Sequence, residues 1–154
     1  MSTVITAPEP IDASGFRVYL AGAIDMGRAV TWQAQVIAML ADRPGLVLLN
    51  PRRDHFDADT LDEQIRWELD ALDAADVILM WFPADANAPI SLLETGLYLR
   101  SGKLLIGAEP GYERRRNLEI TTERYGVPLW PQLHDLVEQL RRIHPRPHTL
   151  SPTS

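Results

Sequence analysis

Four short, continuous apolar runs restrict this chain's fold more than any other feature. They are FRVYLAGAI at 16–24, LVLL at 46–49, DVILMWF at 76–82 and KLLIGA at 103–108. A strand with one wet face alternates polar and apolar residues. These do not, so they read as parallel strands covered on both sides. Segments of helical spacing lie between them. Trp32, Val36, Met39 and Leu40 mark a helix over 32–40. Thr60 and Glu63 form a capping box that opens a helix running to Ala74. A further helix is expected from Pro89 to Arg100, with Pro in its first turn and Gly102 just beyond its end. After the fourth run come a polar segment, a short strand at 127–130 and a helix at 131–143.

Strands alternating with helices of this length predict an α/β fold: an open, doubly wound parallel sheet of about five strands, flavodoxin/Rossmann-like. In such sheets the ligand crevice lies at the carboxyl ends of the strands. The 154 residues suit a single domain. Residues 16–143 are expected to form it, flanked by a flexible arm at 1–15 and a flexible, Pro-rich tail at 144–154.

Composition narrows the function. The chain has no cysteine, which excludes thiol catalysis, disulfides and zinc ribbons. A net charge of −6 disfavours binding to long nucleic acid. No apolar run approaches a membrane span, and 1–15 has neither the basic start nor the apolar core of a signal peptide. The expected location is the cytoplasm. The acids around His55 in DHFDADTLD lack the glycine and terminal glutamate of a calcium loop, so they read as loop and capping residues, and no metal is expected.

Two carboxylates stand out. On the helix from Thr60, the residues Leu61, Ile65, Leu69 and Leu72 make an apolar stripe, and Glu68 falls on it. On the next helix Ile90, Leu93 and Leu97 define a face expected to be buried, and Glu94 falls on that one. A buried carboxylate needs a partner or a wet cavity; the plainer reading of Glu68 is a stripe-edge residue that reaches water. Two acids beside one central strand suit N-glycosidic chemistry. One can trap the oxocarbenium-like anomeric carbon, and the other can help protonate the departing base or hold the first in place. Arg52, just after the second strand, is a candidate for contacting a base or a phosphate, with a solvated loop as the equal alternative. The four tryptophans read as core, with Trp81 and Phe82 singled out as neighbours of a nucleobase.

These motifs resemble the nucleoside 2-deoxyribosyltransferase family, in its more divergent branch. VYLAGAI is similar to the family's first strand, whose tyrosine borders the active site, here Tyr19. AADVILMWFP resembles its central strand, and SLLETGLYLRSGK its helix with the nucleophilic glutamate, here Glu94. Glu68 stands where the family commonly has a catalytic aspartate. RRNLEI resembles the segment that lends an asparagine to a neighbouring subunit's site, here Asn117.

The resemblance implies exchange of nucleobases on 2′-deoxyribonucleosides through a glycosyl-glutamate intermediate, with no cofactor, in a homo-oligomer. Its substrates would be a small nucleoside and a free base. The loop PADANAPISLLE lacks the family's glycines, so either Asp85 or Asn87 supplies the sugar-binding group. It also lacks the Ser- and Gly-rich loop of related monophosphate hydrolases. N-glycoside hydrolysis and non-catalytic nucleotide binding on the same scaffold are the competing readings.

Overall fold

The computed structural model describes residues 1–25, 29 and 31–144. Among them, six strands form one sheet: β1 (Thr3–Thr6), β2 (Phe16–Gly22), β3 (Leu46–Asn50), β4 (Val77–Phe82), β5 (Leu104–Ala108) and β6 (Leu129–Trp130). Five α-helices cover it: α1 (Trp32–Met39), α2 (Leu61–Ala74), α3 (Pro89–Tyr98), α4 (Arg115–Arg124) and α5 (Leu133–Ile143). A 3-10 turn, Ala58–Thr60, leads into α2.

The strand order is β1-β3-β2-β4-β5-β6, and every neighbouring pair is parallel. Without β1 this is the flavodoxin-like doubly wound order, in which the winding reverses between β2 and β4. Alternate residues of each central strand serve opposite layers. Val18, Leu20, Leu79 and Trp81 pack with Trp32 and Val36 of α1 and Leu136 and Val137 of α5. Tyr19, Ile78, Met80 and Phe82 join Trp67, Leu72 and Leu118 on the other face, beneath α2, α3 and α4. Every residue of β4 is buried, which is why its sequence does not alternate.

Several expectations are corrected. The segment 1–15 is not wholly a loose arm: Thr3–Thr6 pairs with β3 as the sixth strand and buries Ile5. Its four consecutive β-branched residues favour an extended backbone that the surrounding Pro and Ser disguised. The tail expected at 144–154 falls, after His144, outside the described residues. The Thr60–Glu63 capping box does not form. Asp57 accepts the Thr60 amide at 3.0 Å, while Glu63 pairs with Arg53 at 2.9 Å.

The apolar faces of α2 and α3 are also reversed. Leu61, Ile65 and Leu69 are exposed, while Gln64, Trp67, Ala71 and Leu72 are buried. Trp67 sets the rotation of α2. Its ring lies edge-on to Tyr19 at 6.3 Å between centroids, and its indole N–H donates to the Glu9 carbonyl at 2.7 Å. On α3, Ile90, Leu93 and Leu97 are exposed, Leu93 at 60%, and Ser91, Glu94 and Thr95 turn inward.

Candidate active site

β2 and β4 end side by side where the winding reverses, and a cavity of about 910 Å³ opens there. Tyr19 and Gly22 of β2 contribute to its lining. Gly22 has φ 137°, and a Cβ there would meet the Trp81 carbonyl oxygen at 2.3 Å, so no other residue fits. α2 contributes Gln64 and Glu68 to the lining, and α3 contributes Glu94. The two helices are tied together by Tyr98, whose hydroxyl donates to Asp73 at 2.5 Å. Burial, and then that bond and charge, push the Tyr98 pKa up to about 12.

Glu94 is only 6% exposed. Burial, and secondly the charge of Glu68, raise its pKa to about 8. Burial raises Glu68 too, but a hydrogen bond from Gln64 at 3.2 Å and the charge of Arg53 oppose it. Tyr19, fully buried beneath both acids, is held well above the ordinary tyrosine range by desolvation and then by their charges. The charge of Glu68 disfavours ionisation of Glu94, so near neutral pH Glu94 holds a proton more readily than an ordinary glutamate. Such a pair can present an acid and a nucleophile together.

Asp85 and Asn87 line the same cavity from the loop between β4 and α3. That loop is held by Asp25, whose carboxylate accepts the backbone amides of Asn87 and Ala88 at 3.0 and 2.9 Å. Tyr112 donates to the Asn87 carbonyl at 3.3 Å from the other side.

The remaining candidates lie elsewhere. Phe82 is fully buried and packs against Tyr112, with ring centroids 4.9 Å apart, so it does not line the cavity. Trp81 faces the opposite layer, as its place one residue earlier in β4 dictates. Arg52 lines a smaller neighbouring recess with Gln33 and Asn50, and donates to Gln33 at 3.3 Å and to the Ala29 carbonyl. Asn117 is exposed on α4, outside its own chain's cavity.

Asp25 and Gln64 were not singled out from the sequence, and Arg53 was read only as part of the arginine-bearing loop after β3. A signal existed for two of them: Asp25 follows the end of β2, and Gln64 lies one helical turn before Glu68. Among the described residues, no group of three or more His, Cys, Asp or Glu is placed to hold a metal, and no helix is long and apolar enough to cross a membrane.

A doubly wound parallel sheet whose winding reversal opens a cavity lined by buried Glu94 and half-buried Glu68 defines the α/β class of this protein. The chain belongs to the nucleoside 2-deoxyribosyltransferase-like family, whose model matches residues 15–112. That stretch contains Tyr19, Glu68 and Glu94; Asn117 lies beyond it. A search of curated proteins finds no match to the chain. Family membership points to a glycosyltransferase-type enzyme related to those acting on nucleosides.

Proposed function

We propose that this chain is a nucleoside 2′-deoxyribosyltransferase that works through a covalent bond between Glu94 and the sugar. The observation that carries this reading is the meeting of Glu94 and Glu68, from separate helices, in one cavity above Tyr19. In the first half-reaction a Glu94 oxygen bonds to the anomeric carbon as the bond from that carbon to the base nitrogen breaks. The electron pair leaves with the base, which takes a proton from Glu68. In the second half-reaction a nitrogen of another base bonds to the anomeric carbon, the ester bond to Glu94 breaks, and the proton returns to Glu68. Nothing is oxidised or reduced. Asp85 or Asn87, which both line the cavity, would bind the sugar hydroxyls.

The enzyme works as a homo-oligomer in this reading. Leu61, Ile65 and Leu69 of α2 and Ile90, Leu93 and Leu97 of α3 are exposed around the mouth of the cavity. Six large aliphatic side chains in one place form the kind of patch that soluble proteins usually cover. A second copy seated there would shield the intermediate from water and bring in Asn117 from outside.

The test is incubation of a 2′-deoxynucleoside with a different free base. A new nucleoside supports transfer; free sugar and base alone favour hydrolysis through the same pair. No cleavage of the N-glycosidic bond by a folded protein would refute the reading.

A further inference from the structure

Gln64 is 6% exposed, and each polar atom of its side chain is committed. Its Oε1 accepts from Arg53 Nε at 2.5 Å. Its Nε2 donates to the Pro51 carbonyl at 2.7 Å and to Glu68 Oε1 at 3.2 Å. The sense of this amide is not free. A guanidinium only donates, so the amide oxygen must face Arg53 and the nitrogen must face Glu68. Arg53 is itself fixed: it is 8% exposed and donates through Nη1 to Glu63 at 2.9 Å. A chain of donors therefore runs from a buried cation to one oxygen of Glu68. Had that oxygen carried a proton, its O–H would oppose the Gln64 N–H. Among the described residues Glu94 has no comparable hydrogen bond; burial and the charge of Glu68 act on it.

Building on the glycosyl-transfer reading above, we propose that Arg53 and Gln64 are positioning residues that keep Glu68 ionised in the empty site, so that the proton of the carboxyl pair waits on Glu94. Glu68 is then a relay rather than a resting acid. When a nucleoside enters, the Glu94 proton passes to the second oxygen of Glu68 and on to the departing base. Glu94, now an anion, forms the bond to the anomeric carbon. One proton moves and one bond is exchanged for another. The arrangement keeps the nucleophile neutral until a proton acceptor is present.

Among the described residues, the ionisable groups facing Glu68 are Tyr19 on β2, Arg53 after β3 and Glu94 on α3, with Asp25, Asp57 and Asp85 lining the same cavity. None of the others donates a hydrogen bond to Glu68 through an amide whose sense is locked. Gln64 is therefore the residue whose loss shifts where Glu68 takes its proton.

The test is infrared difference titration of the carboxyl bands of the whole protein, assigned with Glu68→Gln and Glu94→Gln. In the parent protein Glu68 is expected to take its proton at lower pH than Glu94. In Gln64→Met the Glu68 midpoint is expected to rise by about one pH unit or more. The acid limb of the pH-rate profile should move to higher pH with it, whereas a merely structural role would lower rates without moving that limb. If Gln64→Met does not fold by near-ultraviolet circular dichroism, Gln64→Leu serves as the second uncharged variant that lacks the donor, and the same rise is expected. An unmoved midpoint in the variant that folds, or Glu68 protonating above Glu94 in the parent protein, overturns the proposal. The titration needs no turnover. A parent protein that cleaves no deoxynucleoside yet titrates as expected sinks the functional reading and leaves the positioning role standing.

Discussion

Asp25 accepts the Ala88 amide at 2.9 Å, and so ties the end of β2 to the start of the helix that carries Glu94. Its other oxygen takes the Asn87 amide at 3.0 Å. Both ends of this clamp are strained, with φ 51° at Asp25 and 50° at Ala88. A left-handed conformation costs a residue with a Cβ about 1–2 kcal/mol. Charge-assisted bonds to two backbone amides offset that strain. Asp25→Ala is expected to cost about 2–3 kcal/mol in urea unfolding, and to lower kcat because the α3 entry loses its anchor. Ala88→Gly relieves the strain without touching the carboxylate, and should keep both activity and stability. Full activity in Asp25→Ala would show that the clamp does not position the site.

The raised pKa of Glu94 makes a prediction about stability. The folded protein holds this proton more tightly than the unfolded chain, whose glutamates titrate near 4.5. The stability contributed by neutral Glu94 is whole below about pH 4.5 and is lost as pH rises through about 8. Glu94→Gln is neutral at every pH, so its stability should not show this decline. Around pH 9 it should be the more stable protein, by up to a few kcal/mol. Parallel stability profiles from pH 4 to about 9 would mean that Glu94 is not desolvated as described. Turnover by the parent enzyme should also fall above about pH 8, as Glu94 loses its proton.

The exposed aliphatic face predicts self-association. Leu93→Glu together with Ile65→Glu places charges on a surface that should be covered. Sedimentation velocity is expected to show an oligomer for the parent protein and a folded monomer for the double variant. Turnover should fall by about tenfold or more as the cavity loses its cover. A parent protein that is monomeric and fully active would remove the partner copy from the site.

Asn117 gives a sharper test of shared sites. Asn117→Ala and Glu94→Ala should each be nearly inactive alone. Mixed and reassembled, they are expected to regain activity, because a hybrid contains one site with both residues intact. No recovery from a mixture shown to exchange subunits would leave Asn117 without the role carried over to it.

The order of strands and helices was legible because strands covered on both sides must be apolar throughout, as β4 is. The two acids drew notice by a spacing whose premise fails: the aliphatic faces they were assigned to are exposed, and Glu94 is buried with Ser91 and Thr95 while Glu68 is only half-buried. The helix rotations were not legible. Periodicity identifies an apolar face but not what covers it, and Trp67 won the contact with the sheet over Leu61, Ile65 and Leu69. Phe82 was misplaced because a residue at the end of a central strand can serve the core or the crevice, and here it packs on Tyr112. Long-range pairing hid the rest. Arg53 and Gln64 are 11 positions apart, and Asp25 and Ala88 are 63 apart, so no local pattern connects them.

The most direct measurement is mass spectrometry of the intact protein, quenched in acid soon after mixing with a 2′-deoxynucleoside and then digested. A deoxyribosyl adduct on the peptide containing Glu94, absent from Glu94→Gln, is the expected result. Base release by the parent enzyme with no adduct at any quench time, or an adduct on another residue, would contradict the assignment of Glu94 as nucleophile.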